Sequence, residues 1–266
     1  MEQEQERLAW HPAFREAMRA ELDDYRDVFE FHEEYSLTTE PLRMDLLVIK
    51  KLKNVVIEKN IARIFLEHNI VEFKGPENSL SIEDFHKVTS YANLYASLGK
   101  IRTRSITLTF IQMGHPRSFL KFLRTEMGCV FENPSLGIYV TDSLRMPIQV
   151  VESAKLDTQE NLWLKSLRKH ADAKSISKIV NSEKAREMKA YLYTLLMANP
   201  EYVREEKLKM ETTLKQVLID IGWADQFKQE ANKENAKNML NERLPLDLIA
   251  RCTGLPETEI KALQSS

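Results

Sequence analysis

Two short segments hold the residues whose types and spacing could do chemistry. One is Glu40-Pro41-Leu42-Arg43-Met44-Asp45, running into Leu46-Leu47-Val48-Ile49; the other is Ile70-Val71-Glu72-Phe73-Lys74. Each reads as an apolar strand with an acid planted in it. Side chains alternate faces along a strand, so Glu72 and Lys74 project from the same face. A carboxylate inside an apolar strand is costly unless it is paired, hydrogen-bonded or bound to a cation. With the two strands side by side, Asp45 and Glu72 could converge on one hard cation. Magnesium suits such a place, because it takes oxygen ligands and often only one or two carboxylates. It would lower the pKa of a bound water and neutralise charge on a phosphate. The Lys74 ammonium, in the same space, could orient that water or stabilise developing negative charge. Glu21 is a further acid that could reach the cluster from the inner face of the first helix.

The elements that must position these side chains can be read from periodicity. Phe14, Met18, Glu21, Leu22 and Tyr25 recur at helical spacing and predict a helix from Pro12 to about Arg26. Residues 28–36 read as a strand, Thr38 to Pro41 as a turn, and 43–50 as the returning strand. Ile61, Ile64 and Phe65 predict a short helix over 58–67, ended by His68-Asn69 before the strand 70–74. Gly75-Pro76 stops that strand. Ser81 is the expected N-cap of a helix reaching Leu98, with Asp84 in the capping-box position. Phe85, Val88, Ala92 and Tyr95 form its buried face, and Gly99 marks its end. Residues 105–111 alternate as a strand. A strand–helix–strand unit implies a crossover, hence an α/β fold with a mixed sheet. Beyond it come a helix at 119–126 and short strands at 129–132, 137–141 and 147–152. From Gln159 onward the pattern is helical, over about 160–171, 183–198, 200–221 and 224–240, with two short helices around Thr253-Gly254. The expected organisation is a core over 1–155, a helical region over 156–240 and a short helix-turn-helix-like tail over 241–266.

Composition excludes several classes. A chain of 266 residues with 43% hydrophobic and 29% charged residues can bury a substantial core. Its net charge of −2 gives no general basic excess, so any affinity for nucleic acid must come from local charge. No Walker or GxGxxG pattern is present, and only 7 glycines occur. Cys129 and Cys252 form no CxxC pair and read as free thiols of a reducing compartment. The acidic start has no signal core, and no apolar run approaches the roughly 20 residues that span a bilayer. These features predict a cytoplasmic protein with no membrane partner. The histidines, His115 among them, show no zinc-site spacing and read as surface or packing residues.

With Asp45, Glu72 and Lys74 set in this order of elements, the chain resembles the PD-(D/E)XK nuclease superfamily. Within it, the chain is most similar to the Rpn (recombination-promoting nuclease), transposase-associated group of bacterial proteins. Residues 40–45, 70–74 and 81–95 carry the resemblance, and the helical second half with its 244–256 ending is also similar. The resemblance implies a restriction-endonuclease-like core with flanking helices and a mostly helical C-terminal region. It implies cleavage of DNA with Mg²⁺ or Mn²⁺, in the service of recombination or a mobile element. Asp45 and Glu72 would be metal ligands, Lys74 the catalytic lysine and Glu21 the acid of the first helix. A double-strand cutter would need two sites, hence a homodimer. Here the motif's proline is Pro41 rather than a neighbour of Asp45, and a short helix separates the two acids.

Plainer readings stand beside these. Asp45 fits a hydrogen-bonded acid at a strand end, and Glu72 and Lys74 fit an ordinary sheet-face pair. Glu21 fits a partly exposed acid at the helix boundary. Lys87 and Tyr91 share a helical face that could touch DNA phosphate or simply be solvated. The tail lacks a basic stripe, which favours a helical cap over a reader of the major groove. An alternative function is therefore a catalytically inactive nuclease fold that binds DNA or protein.

Overall fold

The computed structural model describes residues 10–32 and 47–203, and further along 236, 240, 246–256, 258, 260 and 261. Asp45 and the rest of 40–46 lie outside the described residues, as do most of the helices expected over 200–240 and the Cys252 side chain. The chain divides into two compact units at Arg204 and Glu205.

The first unit is built on one mixed sheet. Its strands are β1 (Phe29–His32), β2 (Leu47–Lys51), β3 (His68–Lys74), β4 (Ile106–Gln112), β5 (Glu132–Ser135), β6 (Ile138–Thr141) and β7 (Ile148–Glu152), in the spatial order β1-β2-β3-β4-β7-β6-β5. β1, β2 and β3 form an antiparallel meander, whereas β3, β4 and β7 run parallel. Parallel neighbours need a crossover. The helix α2, Ile82–Gly99, which follows α1 (Trp10–Glu21) in the chain, supplies the one from β3 to β4. α3 (Arg117–Thr125) lies within the connection from β4 to β7. The α/β class with a mixed sheet and flanking helices, expected from the sequence, is the architecture found.

The two faces of the sheet are distinct. Ile70, Leu108, Phe110, Ile148 and Val150 pack under α2 and α3, against Phe85, Val88, Phe119 and Leu120. On β3 the alternate residue Phe73 points the other way and stacks on Phe14 of α1, with ring centroids 4.3 Å apart. That second face also takes helices from later in the chain: α1 packs against α4 (Leu162–Ser166) and α6 (Lys189–Met197), and α4 against α5 (Ala173–Val180). These helices therefore complete the core, and the unit boundary falls near residue 204 instead of 155.

The helix expected over 160–171 is only α4, Leu162–Ser166, and α5, Ala173–Val180, falls where no element was expected. The stretch expected to be a helix over 58–67 is only a 3-10 turn, Asn60–Ala62. Ile61 and Phe65 are buried as their spacing suggested. Side chains from distant strands satisfy the backbone there, so no continuous helix is needed. Gln149 donates to the Ile61 carbonyl at 2.9 Å, and Thr107 to that of Ile64 at 3.3 Å. In the second unit, α7 (Leu246–Thr253) ends at Gly254, whose φ of 70° suits a residue without Cβ. Ala236, Ile249, Leu255 and Ile260 form that unit's small core. No helix among the described residues is long and apolar enough to cross a membrane.

Candidate active edge of the sheet

β3 ends at Lys74, next to the start of α2, and the two elements together build the candidate site. Ser81 is the N-cap of α2. Its hydroxyl accepts from the Asp84 backbone N–H at 3.2 Å, while Asp84 Oδ2 accepts from the Ser81 N–H at 3.0 Å, which closes a capping box. The carboxylate also sits where the helix dipole favours negative charge. Its other oxygen, Oδ1, reaches back to Lys74 Nζ at 2.6 Å. Lys74 Nζ in turn lies 3.1 Å from Glu72 Oε1. Glu72 and Lys74 thus share the α2 face of the sheet, and Lys74 bridges the strand acid and the helix acid. Oε2 of Glu72 accepts no bond from a described residue.

Burial separates the roles of the three groups. The Glu72 side chain is 3% exposed and that of Lys74 20%. Burial pushes the Glu72 carboxyl above its ordinary value, more strongly than Lys87 and Lys74 pull it down. Burial also works against the charged form of Lys74, but the bonds from Asp84 and Glu72 outweigh it, so its pKa is raised and it stays an ammonium. Asp84 is held below the usual carboxylate range: burial opposes this, and the bonds from Lys74 and Ser81 prevail. Lys87, one turn beyond Asp84 on α2, is half-buried and acts on Glu72 through its charge. Tyr91 packs against the core beneath α2.

The pairing of Glu72 with Lys74 follows the sequence expectation, but the placement of Glu21 does not. Phe14 binds α1 to the Phe73 face, opposite Glu72. There Glu21 Oε1 accepts from the Leu164 N–H at 2.9 Å, and Oε2 from Lys59 Nζ at 2.5 Å. Lys59 also donates to the Glu160 carbonyl. Burial raises the Glu21 pKa against the pull of Lys59. Its partners make it a clamp between α1, the 58–62 turn and α4, not a member of the metal-binding set.

Three features escaped the sequence reading. Asp84 looked like a capping residue only; its second oxygen is what holds Lys74. Gln112 at the end of β4 pairs with Lys74 in the parallel ladder. It accepts from the Leu80 N–H at 2.8 Å and donates to the Gly114 carbonyl at 3.0 Å, so it braces the loops on both sides of β4. The third is a cluster at the end of β7, where Glu152 gathers His115, Tyr139 and Lys155. His115 is therefore not a bystander on the surface. No local pattern joins it to Glu152, and only the sheet order brings them together.

Among the described residues, no group of three or more His, Cys, Asp or Glu side chains could hold a metal ion. The donors present are carboxylate oxygens, and Glu72 has one oxygen to spare in a buried position, which fits a sparsely held Mg²⁺. The chain matches no protein-family model, and neither the curated proteins nor the solved structures give a match.

Proposed function

We propose that the chain is a metal-dependent nuclease that hydrolyses DNA phosphodiester bonds at the edge formed by β3 and α2. The observation that carries this reading is the buried Glu72 carboxylate, with Lys74 beside it and Asp84 fixing the ammonium from the helix N-terminus. The order of elements supports it too: a helix, a three-strand meander, a crossover helix and a parallel strand. Glu72 would hold Mg²⁺ or Mn²⁺ together with Asp45, whose part in the site comes from the sequence alone. A bound divalent ion supplies an acidified water and charge neutralisation at the phosphate. Lys74, kept charged between two carboxylates, orients the attacking water and faces the negative charge that develops on the phosphoryl oxygens. Lys87 adds positive charge on the DNA side of α2. The same reading makes this a cytoplasmic bacterial protein of recombination or of a mobile element, working as a homodimer where both strands are cut.

One observation favours the alternative, a nuclease fold that binds DNA or protein without cutting. The shortest contact of Lys74 is to Asp84, in an ion-pair triad already complete without a cation. A plasmid-nicking assay with and without Mg²⁺ separates the two readings. The active reading expects metal-dependent nicking by the wild type and none by Asp45→Ala or Glu72→Ala, with both variants folded. Lys74→Ala should lower the rate more than the apparent metal affinity. Undiminished metal-dependent nicking by Asp45→Ala and Glu72→Ala overturns the assignment.

A further inference from the structure

A second group of polar side chains lies along the same edge of the sheet. Lys74 is the register partner of Gln112, and Gln112 that of Glu152, so three parallel strands end side by side. All three residues are in phase with Phe110 and Val150 and hence lie on the face that α2 and α3 cover. The carboxyl ends of parallel strands are where open α/β sheets generally bind their ligands. At the β7 end, Glu152 Oε2 takes three partners: His115 Nδ1 at 2.8 Å, Lys155 Nζ at 3.1 Å and the Tyr139 hydroxyl at 3.2 Å. Gly137 holds this arrangement in place. Its carbonyl accepts from the Glu152 N–H at 2.7 Å, and a Cβ on it would lie 2.6 Å from the Glu152 carbonyl oxygen.

The chemistry of the cluster is directional. Burial pushes the Glu152 carboxyl up, but the bonds from His115, Lys155 and Tyr139 outweigh it and hold the group below the usual range. An ionised carboxylate can only accept, so His115 Nδ1 is the donor and Nε2 is left for other work. The Glu152 side chain is 5% exposed whereas that of His115 is 40% exposed: the anchor is inside and the imidazole meets solvent. Tyr139 on β6 and Lys155 just after β7 are the other titratable groups at Glu152, and Arg124 of α3 adds positive charge nearby. Lys74 and Glu152 are two strand steps apart, about 10 Å, and His115, in the segment after the intervening β4, is held to the Glu152 side of that gap. An in-line displacement needs a comparable span. A group touches the water, the water approaches phosphorus, and the leaving oxygen on the far side meets an acid, with contacts of about 3 Å at each end.

We propose that His115, oriented by Glu152, is the proton donor to the leaving oxygen of the phosphodiester attacked at Glu72 and Lys74. The inference rests on the nuclease reading above and assigns the departing side of that reaction. The water oxygen forms the new bond to phosphorus and the bond from phosphorus to the leaving oxygen breaks. The Nε2 proton of the imidazolium passes to that oxygen, and the water's own proton leaves to solvent past Lys74. Neutral His115 is then reprotonated from solvent. Glu152 is a positioning residue, and Lys155 offsets its charge when the imidazole is neutral.

The test compares two substrates, DNA and a p-nitrophenyl ester of thymidine phosphate, whose leaving group departs without a proton. His115→Ala should cut DNA about 100-fold more slowly, in the range that general acids contribute. It should hydrolyse the activated ester within about threefold of wild type, and added imidazole should restore part of the DNA activity. Glu152→Gln should reproduce the substrate selectivity in milder form. In EDTA, a short oligodeoxynucleotide should move the His115 ring resonances of the wild type. Equal losses on both substrates, no loss on either, or unmoved resonances overturn the assignment of His115 while leaving the nuclease reading in place. A wild type that cuts neither substrate with Mg²⁺ or Mn²⁺ removes both.

Discussion

Glu72→Gln should stabilise the protein near neutral pH while abolishing its proposed activity. The carboxyl is buried, and its folded pKa is raised above the ordinary 4.5 because burial outweighs the attraction of Lys87 and Lys74. The folded protein therefore holds this proton more tightly than the unfolded chain. The stability this group contributes is fully present below pH 4.5 and is lost as the pH rises through the folded value. Above that folded value the carboxylate is ionised and opposes folding. Glutamine keeps the shape without the charge. Lys74 is not stranded by the change, because Asp84 still holds it at 2.6 Å. What is lost is one charge-assisted bond at 3.1 Å to an ammonium that reaches solvent, worth about 1–2 kcal/mol. What is gained is relief from a buried charge, whose effective penalty is several kcal/mol per ion. The balance is a gain of about 1 kcal/mol, or a rise in Tm of about 2–4 °C for a unit of this size. Thermal or urea unfolding followed by circular dichroism reads this directly, beside the nicking assay on the same samples. The advantage should shrink as the pH falls through the raised folded value of Glu72 toward the ordinary 4.5, because the buried group then takes up its proton. A loss of about 2 kcal/mol or more around pH 8 would refute the reasoning. Glu72 and Lys74 would then be a pair that holds the fold together.

The other two predictions concern the acids on either side. Glu21→Ala leaves the Leu164 N–H buried without an acceptor and should cost about 2–3 kcal/mol in urea unfolding, while kcat per folded molecule stays near wild type. A folded Glu21→Ala protein that no longer cuts would return Glu21 to the site. Asp84→Ala removes half the capping box and the shortest bond of Lys74, a loss of about 1–3 kcal/mol around pH 7. The folded pKa of Asp84 is depressed, so its contribution is present above the ordinary 3.8 and fades as the pH falls through the folded value. Unfolding curves of variant and wild type should converge in that acid window. A gap that persists unchanged there argues against an ionised Asp84 as the source.

What could be read from the sequence was local, and what escaped was set by the sheet. The capping box needs only Ser81 and Asp84, three positions apart in the chain, and both halves of it form. The shared face of Glu72 and Lys74 follows from alternation within a single strand. The false helix near Ile61 shows where such reasoning stops, since its apolar spacing is real but Gln149 and Thr107 satisfy the backbone there from remote strands. Glu21 shows the same limit at longer range. Helical periodicity correctly put it on the buried side of α1, but which face of the sheet α1 covers was decided by Phe14 meeting Phe73. The edge that joins Lys74, Gln112 and Glu152 depends on β7 inserting beside β4 instead of following β6 outward. No sequence pattern encodes that insertion, yet it is what brings Glu152 to His115, which follows β4 on the same rim as the Glu-X-Lys pair. Chemistry on this rim is therefore tested best by variants on β7 and its neighbours, because a plain sheet-face pair at Glu72 and Lys74 would be indifferent to changes two strands away.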